Sequence, residues 1–483
     1  MATITKIFGR QQELKILDTI YTSDKAELLA LYGRRRIGKT FLISEYFKNK
    51  GIYFELTGIK GAKPAEQLRN FVTEMSDTFW HGQIVTQPKN WQEAFTLLRR
   101  EIEKTLTTKK IILFFDELPW LASARSKFLA ALDHFWNRYA SRNKQVIVII
   151  CGSATSWMIK KIANSKGGLH GRITREMRLL PFDLTETEGY LRRKNIELDR
   201  KQIIDIYMSI GGVPKYLSYI ERGKSANQII NDLCFSPNGP LFKEFNKLYH
   251  SLFDHAEHHI KIIKELAKKS SGLSQDELLK KVGLTSGGTA SDILNELEES
   301  GFIIYIPTFS KGKIYKLTDE YSLFYISWIA TAPKTGLHGI DKDYWLKKQH
   351  SRAYSAWAGH AFETICLKHI RKIKAALGIT AVSTTESSWL YKPTTKEQKG
   401  AQIDLVIDRT DNCINLCEIK YYNKEFTVSK QYADELTDKK HIFLETTNTK
   451  KTLFTTLITT YGAVKNTNYL TAVDNQLTID DLF

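Results

Sequence analysis

Gly33-Arg34-Arg35-Arg36-Ile37-Gly38-Lys39-Thr40 is the stretch that decides how this chain is read. It fits the spacing G-x₄-G-K-[ST], follows the apolar run Ala26–Tyr32 and opens the amphipathic run Lys39–Phe47. Glycines let the backbone curl so that successive N–H groups point inward, and the start of a helix adds the positive end of its dipole. Such a loop cradles the phosphates of a nucleoside triphosphate. Lys39 would neutralise the β- and γ-phosphates, and the Thr40 hydroxyl would ligate Mg²⁺. All eight residues are expected nucleotide-binding positions.

Working outward, Lys110–Glu117 reads as the strand that completes this site. Five apolar residues, Ile111–Phe115, bury it and carry Asp116 to its end, where a carboxylate can hold Mg²⁺ through water. Glu117 is then placed to polarise the attacking water, against the plainer reading of an exposed carboxylate. Further strands are expected at Ala26–Tyr32, Gly51–Leu56 and Val146–Cys151, alternating with helices at Lys39–Phe47, Pro64–Phe79, Trp91–Thr105 and Phe128–Tyr139. Strands without polar alternation imply a parallel sheet buried on both faces, hence an α/β sandwich. The expected fold is α/β multidomain: a P-loop NTPase parallel-sheet core over 1–182, a helical lid over 183–254, and further domains beyond.

The next signature is three helices, at His258–Lys269, Ser274–Val282 and about Ser286–Ser300, followed by strands at Phe302–Phe309 and Lys313–Leu317 around the turn 310–312. Ser274 with Glu277 has capping-box spacing. Three helices and a hairpin make a winged helix, assigned to 255–331. Its third helix would read DNA in a repressor. Here it carries Asp292, Glu296, Glu298 and Glu299 and no Lys or Arg, which favours an internal packing element. His255, His258 and His259 are read as solvated, and Phe324, Tyr325 and Trp328 as core. A linker is expected over 332–350, centred on Ala332–Ile340 with Pro333, Gly336 and Gly339.

The opening Phe8-Gly9-Arg10-Gln11-Gln12-Glu13-Leu14 resembles the nucleotide-flanking box of the AAA+-related signal-transduction ATPases, the STAND class. Tyr32–Thr40 looks like the loop of the archaeal-type ATPases of prokaryotes, and Gly171-Arg172 and Gly211-Gly212-Val213-Pro214 are similar to that family as well. The resemblance spans about residues 1–330. It implies ATP with Mg²⁺ as ligands, a nucleotide-driven switch more than a processive motor, and Arg10 near the adenine or ribose. It also implies Ser153, at the end of the third strand, as a γ-phosphate sensor, with a simple helix cap as the alternative. Arg172 is the candidate arginine finger, with a surface arginine as the alternative.

Beyond 350 a second α/β domain is expected. A helix from about Ala353 to Leu377 precedes strands at Ile403–Ile407, Ile414–Tyr421 and His441–Glu445, with Val428–Leu436 helical between the last two. On a strand, Glu418 and Lys420 share a face, and Asp404 on a neighbouring strand can meet them. Two carboxylates would hold Mg²⁺ against a scissile phosphate, and the lysine would position the attacking water and stabilise the transition state. The arrangement resembles the PD-(D/E)xK nuclease superfamily, with Ile403 where that family has Pro. The resemblance implies a restriction-endonuclease-like domain over 351–483 in which Asp404, Glu418 and Lys420 are catalytic. Glu363, on the preceding helix, would be a further metal ligand, Mn²⁺ would be an alternative to Mg²⁺, and Gln431 and Tyr432 would stand at accessory positions.

Bulk properties frame these readings. The 483 residues carry a net charge of +17 with 42% hydrophobic residues, too long for one core and basic enough to suit a polyanion. Residues 339–400 hold 11 Lys/Arg against five acids, interleaved with Tyr344, Trp345, Tyr354, Trp357, Trp389 and Tyr391. No apolar run approaches a membrane span. No apolar leader opens the chain, and the five cysteines form no CxxC pair, so a cytoplasmic setting with reduced thiols is expected. Cys413 and Cys417 read as core thiols. Nucleic acid is the expected partner, DNA over RNA and no membrane, with the ATPase core offering a surface to a second copy or another protein. Two functions remain open: an ATP-dependent regulator of a metal-dependent nuclease, or an ATP-switched scaffold that binds nucleic acid or a partner without cutting.

Overall fold

The computed structural model describes residues 7–83, 86–105, 109–123, 125–153, 155–163, 169, 171–253, 255–309, 312–333, 343–393 and 399–483. They divide into two compact units, 1–181 and 182–483, described separately below.

The first unit is built on five strands, β1 (Glu27–Tyr32), β2 (Gly51–Thr57), β3 (Lys110–Asp116), β4 (Val146–Gly152) and β5 (Arg175–Arg178), ordered β2-β3-β4-β1-β5 and all parallel. Alternation explains the unbroken apolar runs. Leu28 and Ala30 join one core with Leu113, Phe115, Val148 and Ile150. Leu29 and Leu31 join the other with Ile112, Phe114, Ile147 and Ile149. Both faces are therefore covered by helices, as a parallel sheet requires. The expected helices appear at Lys39–Phe47, Pro64–Phe79, Trp91–Lys104 and Phe128–Arg138. β5 was not foreseen, because Met177 alone of its four residues is buried.

The second unit opens with helices at Leu184–Arg193, Arg200–Ile210, Ala226–Cys234 and Glu244–Leu252. The three-helix segment follows as Ala256–Ala267, Gln275–Val282 and Gly288–Glu299, and the Ser274–Glu277 capping box forms. Its strands β6 (Leu273–Ser274), β7 (Ile303–Pro307) and β8 (Lys313–Leu317) make an antiparallel sheet ordered β6-β8-β7. Turn residues 310 and 311, and linker residues 334–342, lie outside the described residues. His259 corrects the reading of solvated histidines. It is 3% exposed, stacks on Phe253 at 3.9 Å between centroids, and shares a 2.9 Å hydrogen bond with Glu296.

Strands β9 (Thr384–Tyr391), β10 (Ala401–Arg409), β11 (Cys413–Lys420), β12 (Phe426–Thr427), β13 (Thr452–Thr459), β14 (Ala463–Val464) and β15 (Asn475–Leu477) follow. Five of them form a mixed sheet ordered β15-β13-β11-β10-β9; β10 is antiparallel to β9 and β11, while β11, β13 and β15 run parallel. Two expectations are corrected here. The helix expected from Ala353 to Leu377 is two, Arg352–Lys368 and Ile370–Ala376, interrupted at His369. His441–Glu445 is not a strand, because one helix runs from Lys430 to Thr447; of those five residues Phe443 is buried, which suits a helix flank and not a central strand.

The aromatics interleaved in the basic segment pack inward. Trp345 is 1% exposed and packs edge-on against Phe324, Trp328, Tyr354 and Trp357, while Trp389 is buried against Phe443. These rings form core and not a stacking platform for bases. Among the described residues no helix is long and apolar enough to cross a membrane.

Candidate functional sites

In the first unit the loop between β1 and the helix Lys39–Phe47 takes up the expected curl. Gly33 has φ 149° and Gly38 φ 88°, and a Cβ at Gly33 would lie 2.3 Å from the Leu179 carbonyl oxygen. Lys39 is buried, and its Nζ donates to the carbonyls of Gly33 (2.8 Å) and Arg34 (3.0 Å), spanning the mouth of the loop. Thr40 Oγ1 donates to Asp116 Oδ2 at 2.5 Å, joining the two residues expected to hold Mg²⁺. Hard oxygen donors in this pairing fit a magnesium ion.

Glu117 sits in the left-handed region at φ 47°, ψ 47°, a conformation that costs a non-glycine residue on the order of 1 kcal/mol. This bend turns its carboxylate toward Ser153, whose hydroxyl donates to both oxygens at 2.9 and 3.1 Å. Arg10, also left-handed at φ 59°, donates to the carbonyls of Leu180 (2.7 Å) and Ile37 (3.3 Å), tying the loop to the end of β5. Arg34 is buried and Arg35 exposed, while Arg36 has φ 70°. Arg172 is exposed; residues 168 and 170 of its loop lie outside the described residues.

A second constellation lies in the C-terminal sheet. The β9–β10 register shifts between Ile403 and Val406, a bulge that re-aims Asp404. Asp404 Oδ2 accepts the Ile419 backbone N–H at 3.1 Å. Glu418 is 3% exposed; both of its oxygens accept Lys439 Nζ at 2.9 Å, and Lys420 Nζ stands 3.9 Å away. Burial and the Asp404 charge push the Glu418 carboxyl up to about 7. Glu363 feels the same two influences and rises to about 8, while Lys316 and Lys420 pull it down. Its Oε2 is enclosed and, among the described residues, has no hydrogen-bond partner. The three acids thus sense one another, yet among the described residues no three His, Cys, Asp or Glu are gathered closely enough to hold a metal ion. Oxygen donors and an orphaned carboxylate fit a divalent cation in type, short of a closed shell.

Residues 7–220 match the family model described as an ATPase domain predominantly from Archaea, and residues 256–304 match one described as winged helix-turn-helix DNA-binding. Residues 7–220 are an archaeal-type ATPase domain. An uncharacterized protein of Methanocaldococcus jannaschii is 21% identical over 437 residues, covering 88% of this chain and 90% of that protein. An uncharacterized ATP-binding protein of the same organism is 44% identical over 52 residues, 11% of this chain and 88% of that one. Among solved structures, a Walker-type ATPase of Pyrococcus abyssi is 18% identical with a TM-score of 0.48, covering 67% of this chain and 96% of that chain.

Within the archaeal-type ATPase domain the structure brings Lys39, Thr40, Asp116, Glu117 and Ser153 together. In the C-terminal sheet it brings Asp404, Glu418 and Lys420 together, with Tyr432 Oη 3.5 Å from Glu418. Lys439 went unforeseen. The signal was present: Tyr432, Glu435 and Lys439 share one face of a continuous helix, and the expected strand at His441–Glu445 hid that continuity.

Proposed function

We propose that this chain is an ATP-hydrolysing switch that controls a metal-dependent nuclease site acting on DNA. Lys39 exchanges the loop carbonyls for the β- and γ-phosphates of ATP, and the backbone N–H groups of Gly33–Thr40 complete the cradle. Thr40 and Asp116 would hold Mg²⁺, which supplies charge neutralisation on the phosphates. Glu117 orients the attacking water, and Ser153 holds Glu117 until the γ-phosphate competes for its hydroxyl. Arg172 serves as the arginine finger in this reading, and Arg10 fixes the loop beside the nucleoside. A second copy or a protein partner would engage the ATPase core, in the cytoplasm.

At the second site Asp404, Glu418 and Glu363 would hold Mg²⁺ or Mn²⁺, which supplies Lewis acidity toward a phosphodiester. Lys420 positions the water and balances charge on the phosphorane. The observation that carries this reading is the enclosed Glu363 Oε2, without a hydrogen-bond partner among the described residues, beside Asp404 and Glu418. A buried carboxyl oxygen without a donor either keeps its proton, as the value near 8 implies for Glu363, or gives it up to a cation that takes its place. One observation favours a scaffold that binds without cutting: Lys439 already engages both Glu418 oxygens.

Incubating the purified chain with DNA and with RNA, plus Mg²⁺ or Mn²⁺, beside Lys420→Ala, separates the two. DNA cleavage lost in the variant supports the nuclease. Absence of cleavage across substrates and metals refutes it and leaves the scaffold.

A further inference from the structure

The strand β8 of the three-helix segment carries a lysine in an unusual position. Lys316 is 5% exposed, yet among the described residues its ammonium makes no hydrogen bond or ion pair. Gly272 makes room for its stem: a Cβ there would lie 2.9 Å from Lys316 Cγ and 2.7 Å from the Tyr315 carbonyl oxygen. The same lysine lines a cavity of about 230 Å³ whose other walls include Lys269, Lys392, Gln402 and the acids Glu277 and Asp404. One side of that cavity is the β6-β8-β7 sheet and the other is β9 and β10. They are stitched together by a bridge between Thr308 and Ser388, by a 3.1 Å hydrogen bond from Phe309 N to the Ser388 carbonyl, and by Phe309 packing on Phe443.

Lys316 buries its stem and lines the cavity, so an anion entering there can meet its ammonium. Its charge already reaches the acidic site. Lys316 draws the Glu363 carboxyl down and helps burial hold the His360 imidazole down to about 4. Three lysines, Lys269, Lys316 and Lys392, outnumber the two acids Glu277 and Asp404 around the cavity, a balance that suits a phosphodiester: the cations take the non-bridging oxygens, as phosphate-binding lysines do.

We infer that the cavity between β8 and β10 binds a phosphate of a polynucleotide strand, and that Lys316, supplied by the winged-helix segment, is its central cation. This deepens the nuclease reading and rests on it for the identity of the strand. The segment then acts as one wall of the C-terminal site, and its acidic third helix is not required to read bases.

The test uses the full chain and a short DNA duplex, with EDTA present, at several salt concentrations. Variants are Lys316→Met, Lys316→Arg and Lys392→Ala, the last on an exposed side chain that leaves folding intact. Lys316→Met is expected to weaken binding by about 3- to 10-fold and to flatten the salt dependence by about one unit, with Lys316→Arg restoring most of both. Lys392→Ala is expected to give a smaller loss in the same direction, and it carries the test if Lys316→Met does not fold. Wild-type affinity and salt slope in a folded Lys316→Met, or in Lys392→Ala should it stand alone, overturn the inference. Cleavage by wild type that Lys420→Ala loses and Lys316→Met keeps, with binding unchanged, leaves the nuclease and removes this site. Lys316-dependent binding without cleavage does the reverse, and a wild-type chain that neither binds nor cuts removes both.

Discussion

Replacing Glu363 by Gln tests the acidic site without any metal. The Glu363 carboxyl is held up near 8, from an ordinary 4.5, first by burial and then by the Asp404 charge. A carboxyl raised on folding binds more protons in the folded than in the unfolded chain. Its contribution is therefore fully present below about pH 4.5 and is lost as the pH climbs through about 8. One proton corresponds to about 1.4 kcal/mol per pH unit inside that window. Two units, from about pH 6 to about pH 8, then remove roughly 2 kcal/mol, a ceiling because Glu418 titrates alongside. Glutamine fills the same space without titrating, so Glu363→Gln flattens this slope. The assay is denaturant unfolding in EDTA at both pH values, reading the difference between wild type and variant, since two compact units need not unfold as one. Parallel pH dependences, offset by a constant, would refute the raised carboxyl. Added Mn²⁺ is expected to stabilise wild type more at the higher pH, where the acids are ionised, and to do so less in the variant.

Lys39→Ala removes the cation that spans the phosphate loop and is expected to weaken ATP binding by about 10- to 100-fold, measured by calorimetry; unchanged affinity contradicts the cradle. Glu117→Gln is expected to keep ATP binding and slow hydrolysis by about 100-fold or more, and a turnover rate within a few-fold of wild type rules it out as the base. Trp345→Ala is expected to cost about 3–5 kcal/mol of stability without changing the salt dependence of DNA binding, because the ring is core; a changed salt slope in the folded variant would return it to the nucleic-acid surface. Charge reversal at Glu298 is expected to leave DNA binding unweakened, and a clear loss in a filter or anisotropy assay would make the third helix the reader; Glu296 is avoided because it holds His259.

The nucleotide site was legible because its information is local. One loop, one strand end and one helix start lie within a few residues of each other, and their glycine spacing has a single geometric use. The two-faced sheet was legible for a related reason: Ile111–Phe115 and Val146–Cys151 leave no polar face. Legibility failed where strands are polar, as in β9 with its Thr-Thr-Glu-Ser-Ser start and β13 with four threonines. There a strand gains its place from neighbours in the sheet and not from its own period. It failed again at Lys316, because no pattern in β8 announces that its lysine faces acids carried by residues 363 and 404. Two carboxylates of the second site were legible from Asp404 and Glu418, whereas the bulge that aims Asp404 and the Lys439 clamp came only with the fold.

The stitch between Thr308 and Ser388 has a bearing on solubility. β9 is the outermost ribbon of its sheet, and such a border presents bare amides and carbonyls to any passing chain. The hairpin lies along part of that border, so it guards against self-pairing while also forming a wall. Excising the three-helix segment would uncover it, and the shortened protein would be inclined to aggregate before it could be assayed.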